Sequence, residues 1–207
     1  MRKVLRMNIG DIFFVQNTFS ERYKVCIDER DKTSVKVSVL EHISNVCKQS
    51  LVTLAVAMPN KRDKAELIAQ KITEIGVRSL VFWPSERSVI KKPNPKKMER
   101  IYKIVKEATE QSWSWYMPSV EFADDIDSFC DKKNCIVFDT TDKGIISSSL
   151  PWEEIVGIVW PEWWLTPKDL TLFSHCVVSG LGKNILRTET AAIVAGWYLQ
   201  HISWWLW

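Results

Sequence analysis

The sequence predicts an α/β protein whose mostly parallel sheet carries flanking helices, preceded by a small antiparallel β unit. Short, wholly apolar runs such as Leu51-Val-Thr-Leu-Ala-Val-Ala57 and Ile155-Val-Gly-Ile-Val159 have the composition of strands buried on both faces, and they alternate with amphipathic helical stretches. The beginning of the chain behaves differently. Tyr23-Lys-Val-Cys-Ile27 and Ser34-Val-Lys-Val-Ser-Val-Leu40 alternate apolar and polar residues with period two, as strands with one wet face do. Composition shifts near residue 50 and nowhere else, so two domains, 1–50 and 51–207, are expected.

In the first domain Asp11-Ile-Phe-Phe-Val15 adds a third strand to those two. Three strands with one apolar face make a thin core, and the chain opens inside Lys3-Val-Leu-Arg6 with no element before it, so a missing first strand is expected. In the second domain Asp63-x-x-Glu66 has the capping-box pattern and predicts a helix from there to Ile75, ended by Gly76. Ser79-Leu-Val-Phe82 reads as the next strand. Pro93 and Pro95 precede a helix from about Lys96 to Gln111, with Ile101, Ile104, Val105 and Ala108 on one face. Further strands fit Cys135-Ile-Val-Phe138, Ile155–Val159 and Cys176-Val-Val178. Thr166-Pro167 predicts a short helix with Pro at its first position, and a last helix is expected from about Arg187 to Ile202.

With 46% hydrophobic and 26% charged residues in 207, the chain is neither disordered nor a disulfide-stapled miniprotein. Cys26, Cys47, Cys130, Cys135 and Cys176 are odd in number and scattered without a C-x-x-C pair, which implies reduced thiols in the cytoplasm and no zinc site. No signal peptide or membrane span is expected, since no apolar run reaches the length either needs. Net charge is only +3, but Lys91, Lys92, Lys96, Lys97, Arg100, Lys103 and Lys106, with Arg87 upstream, gather on one loop and the helix after it. Such a cluster suits phosphates, unless Glu99 and Glu107 leave it an ordinary solvated face.

Ser179-Gly-Leu-Gly-Lys-Asn184 follows a strand, yet it lacks a third spaced glycine, and no G-x-x-x-x-G-K-[ST] occurs, so neither a dinucleotide fingerprint nor a P-loop is supported. Arg187-Thr188-Glu189-Thr190 sets an Arg, two hydroxyls and a carboxylate at a helix N-terminus, where amide dipoles favour polar ligand edges; the alternative is an Arg–Glu pair beside a capping Thr. His42, His175 and His201 lie apart, with no nucleophile motif beside them. Trp160-Pro161-Glu162-Trp163-Trp164 follows a buried strand, where a parallel sheet presents its ligand crevice; its indoles read either as a base-stacking platform or as a packed core edge.

Lys3-Val-Leu-Arg-Met7, the helix ending Glu74-Ile-Gly-Val77, Ser85-Glu-Arg-Ser88, Glu107-Ala-x-Glu-Gln-Ser112, Leu165-Thr-Pro167 and Ile185-Leu-Arg-Thr-Glu-Thr-Ala191 together resemble the RsmE-type methyltransferases of the SPOUT superfamily. The likeness runs in order along nearly the whole chain. It implies a PUA-like β-barrel for RNA, then a trefoil-knotted α/β domain that binds S-adenosylmethionine without a metal, forms a homodimer and methylates N3 of a uridine in 16S ribosomal RNA of the small subunit. Neither DNA nor a membrane is implied as a partner. Cofactor binding falls, by this resemblance, on Thr140, on Trp160, Pro161, Glu162, Trp163 and Trp164, and on Leu181, Gly182, Ile185, Leu186 and Thr188. Arg187 is implied to stabilise charge on the target base, with Glu189 a candidate base, and Arg6, Arg87, Lys91 and Lys92 to grip RNA phosphates.

The pattern departs from the family where its Gly-Pro-Glu-Gly-Gly loop stands as Trp160-Pro-Glu-Trp-Trp164. Where relatives often carry an Arg two residues after Glu-Gln-Ser, Ser114 stands. Composition is skewed the same way, with 11 Trp against 7 Gly. The Trp-bearing loop and the skewed composition, though not Ser114, are expected if a host that reads UGA as glycine has been translated with a code that reads it as tryptophan. Trp113, Trp115, Trp160, Trp163, Trp164, Trp204, Trp205 and Trp207 counted as glycine would lift Gly to about 15 residues, the usual share of about 7%. Trp83, Trp152 and Trp197 fit as aromatic packing residues. The rival reading is a non-catalytic RNA-binding protein of the same fold, its cofactor loop filled by Trp160, Trp163 and Trp164.

Overall fold

The structure, a computed structural model, describes residues 7–17, 21–44, 48–85, 90, 93–130, 134–139, 154–160, 171, 173–174 and 176–204. The chain divides into two compact units, Met1–Lys48 and Gln49–Trp207. In the first, β1 (Ile12–Gln16), β2 (Arg22–Arg30) and β3 (Val35–Ile43) form an antiparallel sheet in that order. β2 and β3 run longer than alternation alone suggests, and near their ends Lys36 Nζ lies 3.0 Å from Glu29 Oε1 across the pair. Only β2, the central strand, buries apolar side chains deeply, at Val25 and Ile27. Arg30 donates to the Met7 carbonyl, tying the start of the described chain to the far end of β2.

The second unit is built on a six-stranded sheet in the order β6 (Ser119–Phe122), β5 (Ser79–Trp83), β4 (Val52–Ala57), β8 (Ile155–Val159), β7 (Cys135–Asp139), β9 (Val177–Gly180). Every pairing in it is parallel. β4 and β8 are buried along their whole length, as strands covered on both faces must be. On one face Leu54, Leu80 and Ile136 pack with Ile68 and Ile72 of α1 (Arg62–Ile75), Ile101 and Val105 of α2 (Pro95–Gln111) and Leu199 of α4 (Thr188–Trp204). On the other, Ala55, Val81, Trp83, Val137, Val156 and Ile158 meet Ile126 and Phe173. Each buried Val, Leu, Ile or Phe among them contributes about 1.5–3 kcal/mol.

Local sequence explains the helix boundaries, with one correction. The Asn94 side chain accepts from Lys97 N at 2.9 Å and Pro95 takes the first helical position, so α2 starts with an N-cap and a residue that has no N–H to satisfy. α1 begins at Arg62 behind Lys61, which makes no side-chain cap bond; Asp63, expected to cap it, lies inside the first turn, where its charge suits the helix dipole. Glu66, expected to complete a capping box, is instead held by two arginines: Arg62 Nε and Arg100 Nε each stand 2.6 Å from its Oε1. Burial alone would raise its carboxyl, but these partners outweigh that and hold it below the usual range.

β6 and α3 (Asp127–Cys130) are not anticipated by the sequence, and the strand expected over Cys176–Val178 lies at Val177–Gly180. The short helix expected at Thr166-Pro167 falls outside the described residues. Two glycines are required by close packing. A Cβ on Gly157 would sit 2.3 Å from Leu199 Cδ1, and one on Gly196 would sit 2.7 Å from Ile72 Cδ1, so α4 lies on the sheet and on α1 closer than any side chain there would allow.

Candidate active site

Three neighbouring strands, in the order β8, β7, β9, deliver the site. Their register sets Val159 beside Phe138 and Asp139 beside Gly180, so the three strands end level with one another at the carboxyl edge of a parallel sheet. Ligands bind open α/β sheets at that edge. The residue after β8 is Trp160, the two after β9 are Leu181 and Gly182, and Thr140 is next after Asp139 in sequence. Thus the three chain segments that the resemblance assigns to the cofactor all leave from one stretch of sheet edge.

From β9 the chain passes Leu181, half-buried, then Gly182 at φ 126°, a left-handed value that glycine tolerates freely and in front of which space is open. Ile185 is 72% exposed, Leu186 half-buried and Arg187 exposed. α4 then starts at Thr188, whose side chain is buried while its Oγ1 finds no hydrogen-bond partner among the described residues. Buried hydroxyls are rarely left so. Glu189 follows. Its Oε2 lies 3.3 Å from Lys64 Nζ of α1, with both side chains mostly buried. That contact has the distance of an ion pair without hydrogen-bond alignment, and Oε2 is otherwise unpartnered.

The local alternative, an Arg–Glu pair beside a capping Thr, is therefore corrected in its pair, since Glu189 pairs with Lys64, and Thr188 Oγ1 finds no backbone N–H to cap among the described residues. Lys64 is the residue that sequence reasoning missed. Nothing at its own position hints that the start of α4 will fold against it.

Trp160 is half-buried. Its ring meets Phe173 edge-on at 4.6 Å between centroids and Trp83 at 5.7 Å, so this indole is a core-edge residue rather than an open stacking platform. Trp83 and Trp160 both bury Nε1 without a partner among the described residues. Of the remaining predicted site residues, Thr140, Pro161, Glu162, Trp163, Trp164, Arg6, Arg87, Lys91 and Lys92 lie outside the described residues. On α2, Arg100 is engaged by Glu66 and Lys103 stands 3.9 Å from Glu107, which leaves Lys96 and Lys106 as exposed cations of the basic cluster. Among the described residues no group of three His, Cys, Asp or Glu could hold a metal ion, and no helix is long and apolar enough to cross a membrane.

Residues 46–200, which include this sheet edge and the start of α4, match the family model for the RNA methyltransferase domain. The chain is 35% identical over 213 residues to ribosomal RNA small subunit methyltransferase E of Bacillus subtilis, covering 93% of this chain and 82% of that protein. It is 32% identical over 209 residues to the same enzyme of Rickettsia conorii, covering 94% and 82%. The chain belongs to the ribosomal RNA small subunit methyltransferase E family. Among solved structures it is similar to a methyltransferase of Legionella pneumophila in complex with the bound cofactor SAM, at 25% identity and TM-score 0.83 over 97% of this chain and 86% of that one. The fold is also that of the Neisseria gonorrhoeae family member bound to S-adenosyl methionine, at TM-score 0.85 and 23% identity over 97% and 87%.

Proposed function

We propose that this chain uses S-adenosylmethionine to methylate N3 of a uridine in 16S ribosomal RNA of the small subunit. The observation that carries the reading is the alignment of β8, β7 and β9, whose level ends bring the expected cofactor segments to one edge. The residues present suit that ligand: among the described residues Thr188 Oγ1 lacks a partner and the approach to Gly182 is open, and Leu181 and Leu186 offer apolar walls for a flat heterocycle. When bound, S-adenosylmethionine supplies a methyl group already activated on a sulfonium. Residues 51–207 form in this proposal the knotted methyltransferase domain of a cytoplasmic homodimer. The strands before residue 50 belong in this proposal to a PUA-like barrel that docks RNA.

The chain's own side chains then have distinct tasks. N3 is on the Watson–Crick edge of uracil, so the target base must be unpaired or turned out before it can reach the sheet edge. As N3 loses its proton, negative charge spreads to the flanking carbonyl oxygens. Arg187, exposed immediately before α4, meets that charge in this proposal. Glu189, inside the fold and paired with Lys64, fits a scaffolding role better than that of a general base. Arg6, Arg87, Lys91 and Lys92, continued by Lys96 and Lys106 on α2, hold the phosphates.

The test is methyl transfer from labelled S-adenosylmethionine to small-subunit RNA lacking the modification, with the product nucleoside identified by mass spectrometry. N3-methyluridine at one site is expected; cofactor binding with no methylated uridine overturns the reading. Arg187→Ala should lower kcat by about 100-fold or more while leaving RNA affinity nearly unchanged. The rival, an RNA-binding protein without cofactor affinity, gains no support from membership of an enzyme family.

A further inference from the structure

Four described residues have φ in the left-handed region: Gly10 at 90°, Gly76 at 85°, Gly182 at 126° and Trp113 at 54°. Three are glycine and the fourth carries the largest side chain there is. Crowding between Cβ and the neighbouring carbonyl makes this region one that bulky residues avoid. The reason that the chain adopts it at Trp113 is the way α2 ends. Ser112 N donates to Ala108 O at 2.9 Å, Ser114 N reaches back to Thr109 O at 3.2 Å, and the residue between them must turn left-handed. α1 ends with the same backward bond, from Val77 N to Ile72 O at 3.4 Å, and fills the left-handed position with Gly76.

A second observation comes from the far end of β8. The Trp160 and Trp83 rings meet edge to face, each with a buried indole N–H and no acceptor among the described residues. One orphaned donor of this kind is uncommon, and two side by side are more so. With glycine at 160 one orphan ceases to exist, and the other faces space the size of an indole, where water or a ligand acceptor can reach it. Trp83 shares the orphaned donor but not the position just past a strand's end. It is 2% exposed and packed in the core with Ala57, Val81 and Ile158. Composition agrees, since 11 Trp outnumber 7 Gly.

We infer that positions 113 and 160 are glycine in the protein as its native host makes it, the codon UGA being read there as glycine, whereas Trp83 is a true tryptophan. The native chain then ends α2 as it ends α1. It also carries, at the carboxyl end of β8, an open crevice that the Trp160 ring fills in the chain as written. That the crevice admits the adenosyl group of the cofactor rests on the methyltransferase reading above; the identity of the two residues does not.

Peptide mass spectrometry of the protein isolated from its host reads the three positions directly. Glycine mass at 113 and 160 with tryptophan at 83 is expected, and tryptophan at 113 or 160 overturns the inference. Two variants of the chain as written test its physical basis. Trp113→Gly should raise Tm by several degrees and Trp113→Ala by less than half as much; equal gains would show that the left-handed backbone is not the cause. Trp160→Gly should bind S-adenosylhomocysteine at least tenfold more tightly than the chain as written. Unchanged affinity would overturn the opened crevice whatever the masses show. Glycine at both sites together with tight cofactor binding and no methyl transfer would instead count against the proposed reaction alone.

Discussion

At the end of α1 the chain turns through Gly76 and is clasped from outside: the Gln200 amide of α4 donates to the carbonyls of Ile75 and Gly76, and its Oε1 accepts from Ser50 Oγ at 2.8 Å. At the end of α2 the same left-handed turn passes through Trp113, which is 56% exposed, with Ser112 Oγ donating to Thr109 O at 3.4 Å and Ser114 Oγ to Tyr116 O at 2.8 Å. A helix end imposes its backbone angles whatever residue follows. What differs is the environment that must accept that residue: one turn lies inside the fold, the other on its rim. The comparison also separates two uses of glycine in this chain, freedom of φ at Gly76 and sheer lack of bulk at Gly157.

The largest effect is expected where bulk decides. Gly157→Ala forces a methyl to 2.3 Å from Leu199 and against Leu54 and Phe138, and should cost about 3 kcal/mol in urea unfolding, far more than any change at a helix end. Next comes the clasp. Gln200→Ala leaves Ser50 and the last carbonyls of α1 without their partner, and about 2 kcal/mol should be lost, whereas no α4 substitution should touch the end of α2 to that degree. Gly76→Ala should cost roughly 1–2 kcal/mol from the left-handed backbone alone, the mirror of the gain expected from glycine at 113. If the two changes do not differ in sign, the likeness between the helix ends is broken.

The smallest effect concerns the link between the two helices. Glu66 of α1 is held by Arg100 of α2 as well as by Arg62, with its carboxyl kept below the usual range against the opposing effect of burial. A depressed carboxylate stabilises the fold above its unfolded pKa, and that contribution disappears as pH falls through the lower folded value. Glu66→Gln should therefore cost about 0.5 kcal/mol at neutral pH, discounted because both arginines are about half exposed, and should lose less stability than the parent chain between pH 6 and about 3 in thermal melts.

Local chemistry made several elements legible from the sequence. The unbroken apolar runs of β4 and β8, the stop at Gly76 and the Pro-marked start of α2 each follow from a residue type that admits few alternatives. β6 was not legible because four residues at a sheet edge, alternately exposed and half-buried, carry too little hydrophobic signal to mark a strand. The start of α1 was misread because Asp63 serves the dipole equally well one step inside the helix. Strand order is what makes the site, and spacing does not encode it. Only the resemblance pointed to the segments at Thr140, Trp160 and Leu181 as neighbours. The contact of Lys64 with Glu189 depends on how α1 and α4 pack, which no local pattern specifies.

The sheet order bears on how the molecule comes to be made. β4 pairs with β5 soon after both are synthesised, but its other edge waits about 100 residues for β8, since Val52 is matched to Ile155. Through that interval a nascent chain holds a bare, apolar strand edge that any other unpaired strand could occupy. When β8 arrives it must accept β7, made before it, on its free side, and β9 then closes on β7. Contacts this distant along the chain predict slow maturation of the catalytic half, with the half built from β4, β5 and β6 consolidating first on the ribosome.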